Sequence, residues 1–193
     1  MDIHTRKVWI RFGKSTADFP VLYQEWLLQV QNEVGMSPIL FMPDGGTEFT
    51  NSKLAKILKE SGTKFMTTCP GNPNQNSYVE RVNGVIQEKV RKVLAHAGLP
   101  DKYWEDAARF VVEVQNAMPH KALDFKTPNS MWSAAEDKTI SRTRTFGCTV
   151  WYLANNSQSL RKGTPKYRKG IYLGTSTTAC GYKILDLESR KIV

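Results

Sequence analysis

Two carboxylates in this chain of 193 residues stand where chemistry could be done. The first is Asp44, in the stretch ILFMPDGGTEFTN (residues 39–51). The apolar run before it reads as a short buried strand, and the two glycines after it let backbone come close. Asp-Gly is also a strong hairpin signal, which would make Asp44 a plain turn residue. A hairpin, however, needs a second strand directly after the turn. Here TEFTNSKLAKILKESG turns helical instead. Asp44 is therefore expected at the carboxyl end of a strand in a strand–loop–helix unit, where functional groups gather in open α/β sheets.

The second carboxylate is Glu80, in NPNQNSYVERVNG. It has two readings. Ser77-x-x-Glu80 fits a capping box, in which the glutamate bonds back to the helix start. Helix geometry offers the other. At about 100° per residue, Glu80, Gly84, Gln87 and Arg91 line one face, while Val79, Val82, Ile86, Val90 and Val93 form an apolar stripe on another. A carboxylate followed by small, polar and basic groups suits a surface that receives a phosphate backbone; an ordinary solvated face is the alternative. Between the two acids lie 35 residues. Acids fill 18 of 193 positions, so the gap alone discriminates weakly.

The elements that must hold these residues alternate. KVWIRFG (Lys7–Gly13) alternates apolar and basic residues and reads as a strand. Ser15 or Thr16 could cap a helix to about Val34, stopped by Gly35. PILFM is a buried strand, KLAKILKESG a helix ending at Gly62, and TKFMTTC another strand. A long helix runs from about Ser77 to Ala97 and is closed by Gly98 and Pro100. Asp101 opens a further helix that ends before Pro119, and TPNSMWSAAE holds a short one. This is an α/β pattern. After about Arg142 the character changes. CTVWYLA, KGIYLGT and YKILDLESRKIV are short β-rich runs and suggest a small all-β barrel.

Charge divides the chain in the same way. The net charge is +9. Residues 1–70 carry 8 basic and 7 acidic side chains, residues 71–140 carry 9 and 9, and residues 141–193 carry 10 and 2. A folded basic module on a near-neutral body points to a polyanionic partner rather than a solubilising tail. Its expected contacts crowd LRKGTPKYRKG: Arg161, Lys162, Lys166, Arg168 and Lys169. Tyr167 between them could stack on a base, but packing is the favoured reading. No apolar run is long enough to span a bilayer, so no membrane partner is expected. The start, MDIHTRKVW, holds no signal-peptide core. Cys69, Cys148 and Cys180 are odd in number and far apart, which fits a reducing compartment, and His4, His96 and His120 form no zinc-ligand spacing with them.

Taken together, PDGGTEFTN, the gap of 35 residues and NSYVERVNG resemble the second and third acids of the D,D(35)E integrases, and most closely the copia-type integrases of LTR retrotransposons. GLPDKYWEDAARFVVEVQNAMPH and TPNSMWSA resemble the helices after their active site. RTFGCTVWYL, YRKGIYLGTS and GYKILDLESRKIV resemble the SH3-like domain that follows. The resemblance implies an α/β fold: an RNase H-like integrase core over 1–135 that lacks its first strands, then a small all-β SH3-like barrel over 136–193, cut short at its C-terminus. It implies that Asp44 and Glu80 are catalytic and ligate two Mg²⁺ or Mn²⁺ ions for DNA strand transfer. Hard oxygen donors suit such ions. Asn76 and Asn83 fall where the family has polar residues near the DNA end. Partners implied are element ends, target DNA and further copies of the chain, in the nucleus.

The sequence departs from the family pattern. Gly-Gly-Thr follows Asp44 where Asn-Gly-Gly is usual, Ser77 replaces a common glycine, no His/Cys zinc module precedes the core, and the first acid is absent; Asp2 does not stand in for it. The expectations are that these 193 residues alone do not catalyse, that the chain is marginally stable and tends to associate, and that Lys7–Gly13 is either displaced from the PILFM strand or fills a vacant slot beside it. The rival reading is a DNA-binding remnant or domesticated module without catalysis.

Overall fold

A computed structural model describes residues 1–43, 52–66, 77–153, 166–176 and 181–193. Helix α1 (Phe19–Val34) follows a 3-10 turn whose start is a capping box: Ser15 accepts from the turn while Asp18 accepts from the Ser15 backbone. Pro20 in its first turn is preset for helix. Gly35 ends it in the left-handed region at φ 71°, donating to the Gln31 carbonyl. The buried face of α1, Tyr23, Leu27 and Val30, follows the helical period. Tyr23 and Leu27 pack against Leu54 and Leu58 of α2 (Ser52–Ser61), with Phe41 alongside.

Phe41 belongs to β1 (Leu40–Phe41), which pairs in parallel with β2 (Lys64–Phe65) through α2. The partner of β1 is thus a parallel strand reached through a helix, not the antiparallel return of a hairpin. It matches the expected strand–loop–helix order, although both strands are shorter than PILFM and TKFMTTC suggest.

Lys7–Gly13 corrects the sequence reading. It forms no strand. The Val8 N–H donates to the buried Asn116 side-chain carbonyl at 2.9 Å, and the Asn116 amide donates to the Val8 carbonyl at 2.7 Å. A side-chain amide thus satisfies the backbone groups a neighbouring strand would have taken. Val8 and Ile10 pack on Ile86, Val111 and Val112. Trp9 meets Trp132 and Trp26 edge-on at 4.8 and 5.6 Å. The segment is therefore displaced from β1 onto helices.

Those helices are α3 (Ser77–Ala97) and α4 (Trp104–Ala117, entered through a 3-10 turn at Asp101–Tyr103). Their other ends carry the β module. Short helices α5 (Pro128–Ser133) and α6 (Thr139–Arg142) lead to β3 (Thr149–Leu153), β4 (Tyr167–Thr175) and β5 (Tyr182–Asp186), an antiparallel sheet in that order. Leu94, Tyr103 and Ala107 from the helices form one core with Phe146, Leu173 and Leu185. Lys183 pairs with the buried Asp106, and Thr175 donates to Glu113 at 2.8 Å. Burial pushes the Glu113 carboxyl up, and the Thr175 bond opposes that. Gly147, at φ 80°, sits where a Cβ would come within 2.3 Å of the Ala97 Cβ. Only glycine permits this approach of the module to the end of α3.

Candidate nucleic-acid interface

Helix α3 runs over the expected residues. Its apolar stripe of Val82, Ile86, Val90 and Val93 turns to the core, joined by Leu94, while Gly98 closes it in the left-handed region. Val79 departs from the stripe and is 38% exposed. Glu80 lies in the first turn and is exposed. A carboxylate there complements the positive end of the helix dipole. In the same turn the Arg6 guanidinium lies 4.6 Å over the Tyr78 ring, a basic group that sequence reasoning missed because it arrives from the other end of the chain.

Asn83, Gly84, Gln87 and Arg91 continue the exposed face. Asn83, Gln87 and Arg91 also border a cleft of about 350 Å³ between α3, α4 and residues 8–10. Its walls are otherwise apolar, with Ile86 and Val90 from α3, and Trp104 and Val112 from α4. The polar row is thus the rim of an apolar cleft as well as a face toward water. Asp44 and Asn76 lie outside the described residues; β1 ends three residues before Asp44. Among the described residues no group of three His, Cys, Asp or Glu side chains is set to hold a metal ion. Glu80 itself is chemically fit for one, an exposed hard oxygen donor.

The basic module separates residues that the sequence grouped. Arg161 and Lys162 lie outside the described residues. Lys166 is exposed just before β4. Arg168 is held at 4.0 Å from Asp186 and 3.7 Å from Glu188, so its charge is already partnered. Lys169 instead stands opposite Trp151, and Tyr167 opposite Leu153. Tyr167 is not packed as expected; it is 59% exposed, because its position on β4 lies beyond the part of the sheet that the helices cover. The alternation in CTVWYL shows two faces, but only the strand register tells that the Trp151 face is the open one.

Asp186, buried at the sheet end, accepts from the Ser189 N–H at 2.5 Å and from the Tyr152 hydroxyl. The Ser189 backbone bond first, then Tyr152, hold its carboxyl down at about 2.

Comparison with known proteins covers both parts. The family model described as retroviral polymerase SH3-like domain matches residues 148–193. The whole chain is 28% identical to the retrovirus-related Pol polyprotein from transposon TNT 1-94 of Nicotiana tabacum, and 25% identical to that from transposon RE1 of Arabidopsis thaliana. It spans only 14% and 13% of those polyproteins. An uncharacterized mitochondrial protein of Arabidopsis thaliana is 33% identical over 92 residues, 48% of this chain and 76% of that protein. Among solved structures, the HTLV-2 integrase catalytic core domain in complex with magnesium, in a trimeric form, matches with a TM-score of 0.52 at 20% identity, over 67% of this chain and 78% of that one. That likeness establishes the fold of an integrase core.

Proposed function

We propose that this chain, similar over its whole length to copia-type retrotransposon Pol polyproteins, is an integrase and serves metal-dependent DNA strand transfer, the attack of a DNA 3′-hydroxyl on a target phosphodiester. The observation that carries the reading is the position of Glu80, an exposed carboxylate in the first turn of α3, preceded by a parallel β1–α2–β2 unit whose first strand leads into Asp44. Asp44 and Glu80 would hold the divalent ions. Such ions supply nucleophile activation and stabilisation of the leaving oxygen. The remaining work falls to side chains. Asn83, Gln87 and Arg91 offer donors to phosphates along α3, and Lys169 with Lys166 offers charge on the β module. The protein would act as a multimer, on element ends and target DNA, in the nucleus.

The test is Glu80→Gln in the complete integrase, which keeps size and capping capacity but removes a ligating charge. Transfer of a labelled donor end into plasmid should fall at least about a hundredfold, as expected when a group acting in the transition state is lost, while duplex binding stays intact. Retained transfer with a stability loss of about 1 kcal/mol would make Glu80 a cap only. A second reading, DNA binding without chemistry, draws on the 10 basic and 2 acidic side chains of residues 141–193. It predicts wild-type binding with no transfer at all.

A further inference from the structure

The open face of the β module carries a feature that a phosphate-binding patch does not require. Residues directly opposite each other in an antiparallel pair share one face. Trp151 with Lys169 and Leu153 with Tyr167 therefore form a single surface on β3 and β4. Trp151 is 68% exposed, Tyr167 59% and Leu153 53%. Trp151 and Tyr167 are diagonal neighbours, roughly 7–8 Å apart along such a pair. Among the described residues, the side chains of Trp151, Tyr167 and Lys169 have no hydrogen bond, ion pair or ring partner, whereas the neighbouring Arg168 is taken by Asp186 and Glu188. Two positions further along β4 on the same face, Ile171 packs against the core shared with the helices. The surface is the continuation of a packing face past the helices that cover it.

We propose that Trp151 and Tyr167 are a stacking platform for the unpaired bases of single-stranded nucleic acid, with Lys169 holding the phosphate that links them. Charge chooses the occupant. The two acids of residues 141–193 are Asp186 and Glu188, both beside Arg168, while the stretch carries ten basic side chains, Arg168 among them. A polyanion fits this surface better than an acid-poor apolar partner would. Ring chemistry chooses the strand state. Bases in a duplex already stack on each other and show a protein only their edges and backbone, whereas every unpaired base offers a π-face. The inference rests on the reading that the module binds nucleic acid, and narrows its substrate to strand ends, overhangs or gaps.

The experiment uses the 193-residue chain, a short labelled single strand and the duplex of the same sequence, followed by fluorescence anisotropy across a salt series. Trp151→Ala should weaken single-strand binding about tenfold, within the range for loss of one base stack, and leave duplex affinity unchanged. Trp151→Phe should restore most of the loss. Lys169→Gln should lower the salt slope for single strands by about one. Equal losses on both ligands after Trp151→Ala, or no loss on either, would overturn the platform while leaving nucleic-acid binding by the wild type standing. Absence of salt-dependent binding by the wild type would overturn the broader reading and the platform with it. A change in sedimentation of Trp151→Ala without nucleic acid would identify the face as a protein contact and also overturn the platform.

Discussion

The β1–β2 pair and the β3–β4–β5 sheet differ in what covers them. The β3–β4–β5 sheet shares a core with α3 and α4, and Tyr172, Leu173 and Asp186 are all but closed to solvent. The β1–β2 pair has two residues per strand, with Phe41 facing α1 and α2 but Ile39, Leu40, Phe65 and Met66 exposed. A two-stranded pair is marginal unless something packs on it. The β3–β4–β5 sheet is thus built into a core with the helices, while the strand that leads toward Asp44 is anchored chiefly through Phe41. The residues proposed for chemistry and those that hold the fold together are thus largely different residues.

The largest expected effect tests that division directly. Leu173 is 1% exposed in the shared core. Leu173→Ala should cost about 3 kcal/mol, the middle of the range for a buried leucine. Phe65→Ala, in the open pair, should cost under about 1 kcal/mol, as for a surface change. Urea unfolding of both variants reads the difference. Similar losses would mean that the β1–β2 pair is as firmly built as the module.

Acid should separate the two sheets as well. Asp186 is held down at about 2 by the Ser189 N–H and the Tyr152 hydroxyl, whereas an unfolded aspartate titrates near ~3.9. A depressed carboxyl stabilises the folded state in full above the unfolded value, and that contribution is lost as pH falls toward the folded value. The thermal midpoint of the module should therefore drop between about pH 4 and pH 2, and Asp186→Asn should flatten that drop. Circular dichroism melts across the interval check it. An identical acid profile in the variant would show that other carboxylates control the module.

Much of this architecture was legible because several signals agreed. For α3 the Ser77 start, the apolar stripe, and Gly98 with Pro100 mark both limits, and helical text after Asp44 argues against a hairpin there. What failed were inferences that needed a partner. Alternation over Lys7–Gly13 reports an extended chain, not what it bonds to, and the partner is Asn116, far along the sequence. Arg168 and Lys169 are adjacent and chemically alike, yet register sends one to Asp186 and leaves the other beside Trp151. Tyr167 was expected to pack because tyrosines commonly do, but the helices that could cover it pack on the other end of β4. Arg6 reached Tyr78 only through the displaced start of the chain. Long-range pairing is set by the whole fold, so local pattern cannot reveal it.

The smallest expected change in stability belongs to the open edge. Among the described residues β1 pairs with β2, and an exposed edge of so short a pair is where a strand from a second copy would add. Ile39, 82% exposed next to that edge, supplies apolar surface for such pairing. A lysine there would meet the like charge of a second copy and keep the edge hydrated, the device natural sheets use against edge-to-edge association. Ile39→Lys should leave the unfolding free energy within about 0.5 kcal/mol of wild type, as for a surface substitution. It should nevertheless shift sedimentation toward monomer at concentrations where the wild type associates. Trp151→Ala serves as the control on the other sheet and should not change association. If Ile39→Lys associates as the wild type does, the edge of β1 is already protected, and the contrast between a covered sheet and an open one fails at the place where it is sharpest.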